Sequence, residues 1–74
     1  IPLTRNEYCI VLTLMENKGK IVGRERLIER LWATDSFIDD NTLTVNVSRL
    51  RRKLDAAGLP EFIVTKFGVG YIIE

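Results

Sequence analysis

The chain predicts an α+β domain in which three helices precede a C-terminal β-hairpin. Three observations carry that expectation. Apolar residues recur at helical spacing in three separate stretches, each with a residue ahead of it suited to starting a helix. Two short runs rich in β-branched and aromatic residues close the sequence around a five-residue connection holding two glycines. Between them, Asn41 to Leu54 holds no acid, and Arg49, Arg51, Arg52 and Lys53 crowd its end.

The first helix is expected to start at Thr4, which with Glu7 forms a capping box ahead of an apolar run. Tyr8, Val11, Leu12 and Met15 define one face, while Ile10 and Leu14 are apolar on another. A helix apolar on two sides calls for cover on both. Gly19, after Asn17-Lys18, is the expected C-cap, and Ile21-Val22 is a very short strand. The second helix spans about Arg24 to Trp32, with Leu27, Ile28, Leu31 and Trp32 on one face. Gly23 stands at its N-cap without a side-chain acceptor. Ala33 to Asp40 reads as a loop. Asp40 or Asn41 caps the third helix, which runs to about Ala57 and stops at Gly58, with Pro60 just beyond. Phe62 to Thr65 and Tyr71 to Ile73 pair as a hairpin around Lys66-Phe67-Gly68-Val69-Gly70. A basic third helix followed by a hairpin is a winged helix-turn-helix.

Composition narrows the functions open to such a fold. Seventy-four residues make one small domain, near the lower limit for a self-sufficient core. Without His and with a single Cys there is no ordinary zinc site, no internal disulfide and no nucleophile–base pair. Cys9, in an apolar helix, is expected as a small buried hydrophobe, which suits a reducing cytoplasm. No apolar run approaches a membrane span of roughly 18 residues. Net charge is only +1, which excludes a histone-like polycation. Its distribution is uneven: residues 1–40 carry −1 and residues 41–74 carry +2. The positive charge is local to one helix, so salt-sensitive, moderate affinity for nucleic acid is expected.

On a helical wheel Leu43, Val47, Leu50, Leu54 and Ala57 fall within about 80°. Asn41, Thr42, Val45, Arg49 and Arg52 fall on the other side, a mixture suited to phosphates and base edges in a major groove. Arg49 has the fork that matches guanine O6 and N7, and Val45 suits a thymine methyl. Thr42 and Asn46 lie near Arg49, for bases or phosphates. Arg52 and Ser48 are expected at phosphates, as is Asn41 at the helix start. A solvated Arg49 and a merely exposed Val45 are the plainer alternatives. Arg51 points away from this face and is expected to be structural, paired with a carboxylate; Lys53 fits either role. Trp32 on general grounds belongs to a core.

These residues also carry a resemblance. Leu3-Thr4 with Glu7, Arg24-Glu25, Leu27, Leu31-Trp32, Asp40, Thr42, Val45, Val47, Ser48-Arg49-Leu50-Arg51, Lys53-Leu54, Thr65 and Gly68-x-Gly70-Tyr71 stand in family order. The chain resembles the C-terminal winged-helix effector domain of OmpR/PhoB-type bacterial response regulators. The stretch Phe37 to Val47 resembles a subgroup controlling resistance to bacitracin and lantibiotics.

The resemblance implies cytoplasmic, cofactor-free, sequence-specific binding of double-stranded DNA. Two copies would sit head-to-tail on a direct repeat. It implies phosphate contacts from the Trp32 indole N–H with its ring packed, and from Thr65, Lys66 and Tyr71 in the wing. Gly68 and Gly70 would serve as turn-makers. The loop with Asp35, Phe37 and Asp39 would touch RNA polymerase, Phe37 being either exposed there or tucked into the core. Family members have a four-stranded sheet before the first helix and a phosphorylated receiver domain that meets a histidine kinase. This chain, residues 1–74, is expected to start at about the end of that sheet and to lack the receiver. Many members place an Arg in the minor groove from the wing position held here by Phe67. An aromatic ring has no charge for that role; either Lys66 compensates or Phe67 packs. A different class of function stays open: a winged helix docking an acidic protein partner. A reader of double-stranded RNA is disfavoured, because an A-form major groove excludes such a helix.

Overall fold

The computed structural model describes residues 2–33 and 38–74. In chain order these form α1 (Arg5–Glu16), β1 (Val22–Gly23), α2 (Arg24–Trp32), α3 (Asp40–Ala56), β2 (Val64–Lys66) and β3 (Gly70–Ile72). Thr4 and Glu7 make the reciprocal capping box, with Glu7 N–H donating to Thr4 Oγ1 at 3.2 Å and Thr4 N–H to Glu7 Oε1 at 2.8 Å. The helix ends on Asn17 as C-cap, so Gly19 falls two residues outside it.

The face of α1 that enters the core is Ile10 and Leu14, joined by Glu7 and Thr13. Tyr8, Leu12 and Met15 point outward. The two apolar faces compete, and the chosen one can satisfy its polar members internally. Thr13 Oγ1 donates to the Cys9 carbonyl at 2.8 Å, and the Glu7 carboxylate has its cap and a lysine. Cys9 is half-buried at the core's edge, its thiol 3.9 Å from the Arg30 carbonyl oxygen. Leu27 and Leu31 from α2 and Leu43 and Leu50 from α3 meet Ile10 and Leu14 in the fully buried centre. Trp32 leaves this group: the last residue of α2, it is 55% exposed.

The hairpin is part of a three-stranded antiparallel sheet ordered β1-β3-β2. Register pairs Val22 with Tyr71, Gly23 with Gly70, and Thr65 with Tyr71. Gly70 is needed for this close approach and not for a turn, because a Cβ there would lie 2.0 Å from the Val22 carbonyl oxygen. Gly68, at φ +78°, supplies the backbone conformation of the turn. The short 22–23 strand therefore ties the wing to the start of α2.

Capping of α3 falls one residue earlier than expected. Asp39, in extended conformation, accepts the Thr42 N–H at 2.7 Å, leaving Asp40 as the first helical residue. At the other end Gly58 N–H donates to Asp55 O and Leu59 N–H to Leu54 O, the hydrogen-bond pattern of a Schellman stop.

Candidate nucleic-acid interface

The seventeen residues of α3 span about 25 Å. Leu43, Val47, Leu50 and Leu54 bury one face of it. Asn41, Val45, Ser48, Arg49 and Arg52 are exposed on the opposite side, with Thr42 and Asn46 partly so. Asn46 Nδ2 donates to the Thr42 carbonyl at 2.9 Å, which fixes the amide and leaves its oxygen as the acceptor for a ligand. Arg49 and Arg52 have no hydrogen-bond or ion-pair partner among the described residues. Two guanidinium groups, two amides, hydroxyls and a methyl-bearing side chain thus share one solvent face. The arrangement can donate hydrogen bonds to phosphate oxygens and read donor–acceptor patterns.

The other two cations of the basic run are used internally. Arg51 Nη2 donates to Thr65 Oγ1, and its guanidinium lies 5.6 Å from the Tyr71 ring centroid. The carboxylate partner expected for Arg51 is therefore replaced by a hydroxyl and an aromatic face, which the wing brings within reach. Arg51 Nε is buried with no partner among the described residues. Lys53 Nζ reaches Glu7 Oε1 at 2.5 Å and the Pro2 carbonyl at 3.0 Å, tying the end of α3 to the start of α1. Burial is the largest single influence on Glu7 and pushes its pKa up. Hydrogen bonds from Lys53 and Thr4, with the Lys53 charge, outweigh it and hold the carboxyl below its usual value. Asp39 is also lowered, chiefly by the Thr42 backbone N–H.

One organising residue escaped the sequence reading of the interface. Arg24, first in α2, donates from Nε to Asp40 Oδ1 at 3.1 Å and from Nη1 to Tyr71 Oη at 2.7 Å. Its Nη2 donates to the Asp40 carbonyl at 2.7 Å and to Thr44 Oγ1 at 2.8 Å. One side chain thereby joins the N-termini of α2 and α3 to the wing. The available signal was electrostatic: a cation at a helix N-terminus opposes the helix dipole, so it needs anionic partners from elsewhere.

Other expected contacts are occupied within the protein. The Trp32 indole N–H donates to the Ile38 carbonyl at 3.0 Å, so a phosphate would have to displace that bond. Tyr71 is buried, with Arg24 and Arg51 against its ring, and its oxygen already accepts from Arg24. Thr65 is half-buried and accepts from Arg51. Lys66 Nζ lies 3.7 Å from Glu74 Oε1. Asp39 serves as the α3 cap. Asp35 and Phe37 lie outside the described residues.

A groove of about 340 Å³ separates α3 from the wing, with Thr44, Val47 and Ser48 on one wall and Phe67, Gly68 and Val69 on the other. A larger depression of about 530 Å³ beside the last turn of α3 has neither Arg49 nor Arg52 in its wall. Among the described residues no cluster of three His, Cys, Asp or Glu side chains is arranged for a metal ion. No helix among them is long and apolar enough to cross a membrane.

Residues 1–73 match the family described as "Transcriptional regulatory protein, C terminal". The chain is 57% identical over 74 residues to the sensory transduction protein BceR of Bacillus subtilis (strain 168), covering all of this chain and 32% of that protein. It therefore spans about a third of the length of this relative. The C-terminal domain of the nisin resistance regulator NsrR, described as a lantibiotic response regulator, superposes with a TM-score of 0.86. Identity is 42%, over 99% of this chain and 74% of that one. The DNA-binding domain of the response regulator AdeR, solved in complex with an intercistronic region, superposes with a TM-score of 0.87. Identity there is 28%, over 100% of this chain and 75% of that one.

Proposed function

Because the chain belongs to the family of C-terminal domains of transcriptional regulatory proteins, and not to a family of enzymes, we propose that it binds double-stranded DNA sequence-specifically through α3. The observation that carries this reading is the division of α3 into a buried apolar face and an outer face that, from Asn41 to Leu54, holds no acid and bears Arg49 and Arg52. Laid in a major groove, that face sets Thr42, Val45, Asn46 and Arg49 toward base edges, with Arg49 on guanine O6 and N7. Asn41, Ser48 and Arg52 meet phosphates on either side, Asn41 aided by the exposed N–H groups of the α3 N-terminus. The mechanism is binding, with no bond made or broken.

Thr65 and Tyr71 contribute to the phosphate row chiefly by holding the wing against α3 through Arg51, Lys66 by turning its ammonium from Glu74 to a phosphate, and Trp32 by exchanging its Ile38 hydrogen bond for a phosphate. Residues 1–74 act as the effector module of a cytoplasmic response regulator whose receiver domain meets a histidine kinase. Phosphorylation there raises occupancy of a direct repeat by two head-to-tail copies, and the loop with Asp35, Phe37 and Asp39 contacts RNA polymerase. The likeness to BceR and to the nisin resistance regulator supports a role in resistance to envelope-active peptides such as bacitracin and lantibiotics.

The test is selection of bound duplexes from a random double-stranded pool at near-physiological salt. Enrichment of a half-site, repeated in direct orientation at about one helical turn, is the expected outcome. Folded protein that enriches nothing, yet binds an acidic protein partner, overturns the reading in favour of an interaction module.

A further inference from the structure

The turn between β2 and β3 carries the most exposed large apolar side chain among the described residues. Phe67 is 92% exposed, and Val69 beside it is 55% exposed. No packing role explains a ring so fully in water. The charge next to it is largely balanced, because Lys66 lies 3.7 Å from the Glu74 carboxylate. The wing tip is therefore apolar and nearly neutral, whereas the outer face of α3 is cationic. Both border the same groove, with Ser48 on the α3 wall and Phe67 to Val69 on the wing wall.

With α3 in a major groove, a hairpin on its flank crosses one sugar–phosphate strand and meets the adjoining minor groove. The tip itself, Phe67 to Val69, carries no charge for phosphates. Minor-groove walls, however, are formed by deoxyribose carbons, and base steps there accept apolar wedges that partly unstack them. We infer that Phe67 is an apolar wedge, seated in the minor groove beside the half-site read by α3. The contact rests on the duplex-binding reading above and adds two properties to it. It supplies affinity that does not depend on salt, and it favours a flexible TA or CA/TG step at the flank.

The experiment uses the selected half-site embedded in long flanks, with binding measured between about 50 and 200 mM salt. Phe67→Ala is expected to bind about tenfold more weakly, in line with losing burial of one aromatic side chain, and with an unchanged salt slope. Phe67→Lys is expected to steepen the slope by about 0.9, as one added phosphate contact would. A duplex trimmed to end short of the wing should bind the wild type and Phe67→Ala alike. 2-Aminopurine placed at the flanking step should brighten with the wild type and not with Phe67→Ala. Equal binding of the two proteins to the long duplex overturns the inference while leaving the α3 reading intact. So does an equal loss on the trimmed duplex, which would mean that Phe67 acts through the protein itself. A wild type that enriches no duplex overturns both. Because Phe67 is so exposed, the substitutions leave the core untouched.

Discussion

Arg49 and Arg52 on the outer face of α3 and Arg51 and Lys53 on its flanks come from one five-residue run, yet they inhabit different environments. The outer pair stands in solvent with no partner among the described residues. The flanking pair is built into the fold: Arg51 against Thr65 and Tyr71, Lys53 against Glu7. A step of 100° per residue is enough to turn a neighbour from facing solvent to facing the rest of the fold. Local charge density therefore overstates the cationic surface by a factor of about two here. The inward cations instead orient the helix and the wing that the outward ones depend on.

The largest effect that would break this contrast is on stability. Lys53→Met should lower the unfolding free energy by about 2–3 kcal/mol in urea denaturation, because the nearly inaccessible Glu7 carboxylate loses its cation. Duplex preference should not change. A fully stable Lys53→Met would move Lys53 into the outward group. The same pair sets an acid limb. The Glu7 carboxyl titrates below its ordinary 4.5 in the folded state, so its contribution is complete above that value and is lost as pH falls through the depressed folded pKa. In Lys53→Met the desolvation is less opposed, and the limb should move to higher pH.

Next in size, Arg49→Ala should leave stability unchanged and cost about 2 kcal/mol of binding, concentrated at one base position whose preference relaxes. Unaltered specificity in that variant would remove the assigned readout. Arg52→Ala should weaken binding by about 1 kcal/mol on every sequence and reduce the salt slope by about 0.9. A loss confined to one sequence would make Arg52 a reader and blur the distinction drawn within the outer face. Smallest is Val45→Ala, with about 0.5 kcal/mol expected from lost methyl contact. That difference should vanish on a duplex with deoxyuridine in place of the contacted thymine.

Much of this molecule was legible from local rules. The capping box at Thr4 and Glu7, the limits of α2, the stop of α3 at Gly58 and the hairpin all follow from interactions within a few residues. The apolar stripe Leu43, Val47, Leu50 and Leu54 follows from helical period alone. Where a local pattern offered two answers, tertiary contacts chose between them. Helix α1 buries Ile10 and Leu14 and leaves Tyr8, Leu12 and Met15 outside, although its sequence makes both faces apolar. Asp39 caps α3 in preference to Asp40, whose carboxylate and carbonyl are engaged by Arg24 from another helix.

The sequence by itself determined the order of elements, the apolar stripe of α3 and the side-chain chemistry opposite it, because helical period and capping act over one or two turns. Only the tertiary structure decided what the remaining cations do. Arg24 joins residues 16 and 47 positions away, Arg51 finds a hydroxyl and a ring on the wing, and Lys53 finds a carboxylate 46 positions back. Such partners are set by how helices and strands stack, and a charge carries no local mark of the distant group that will neutralise or orient it.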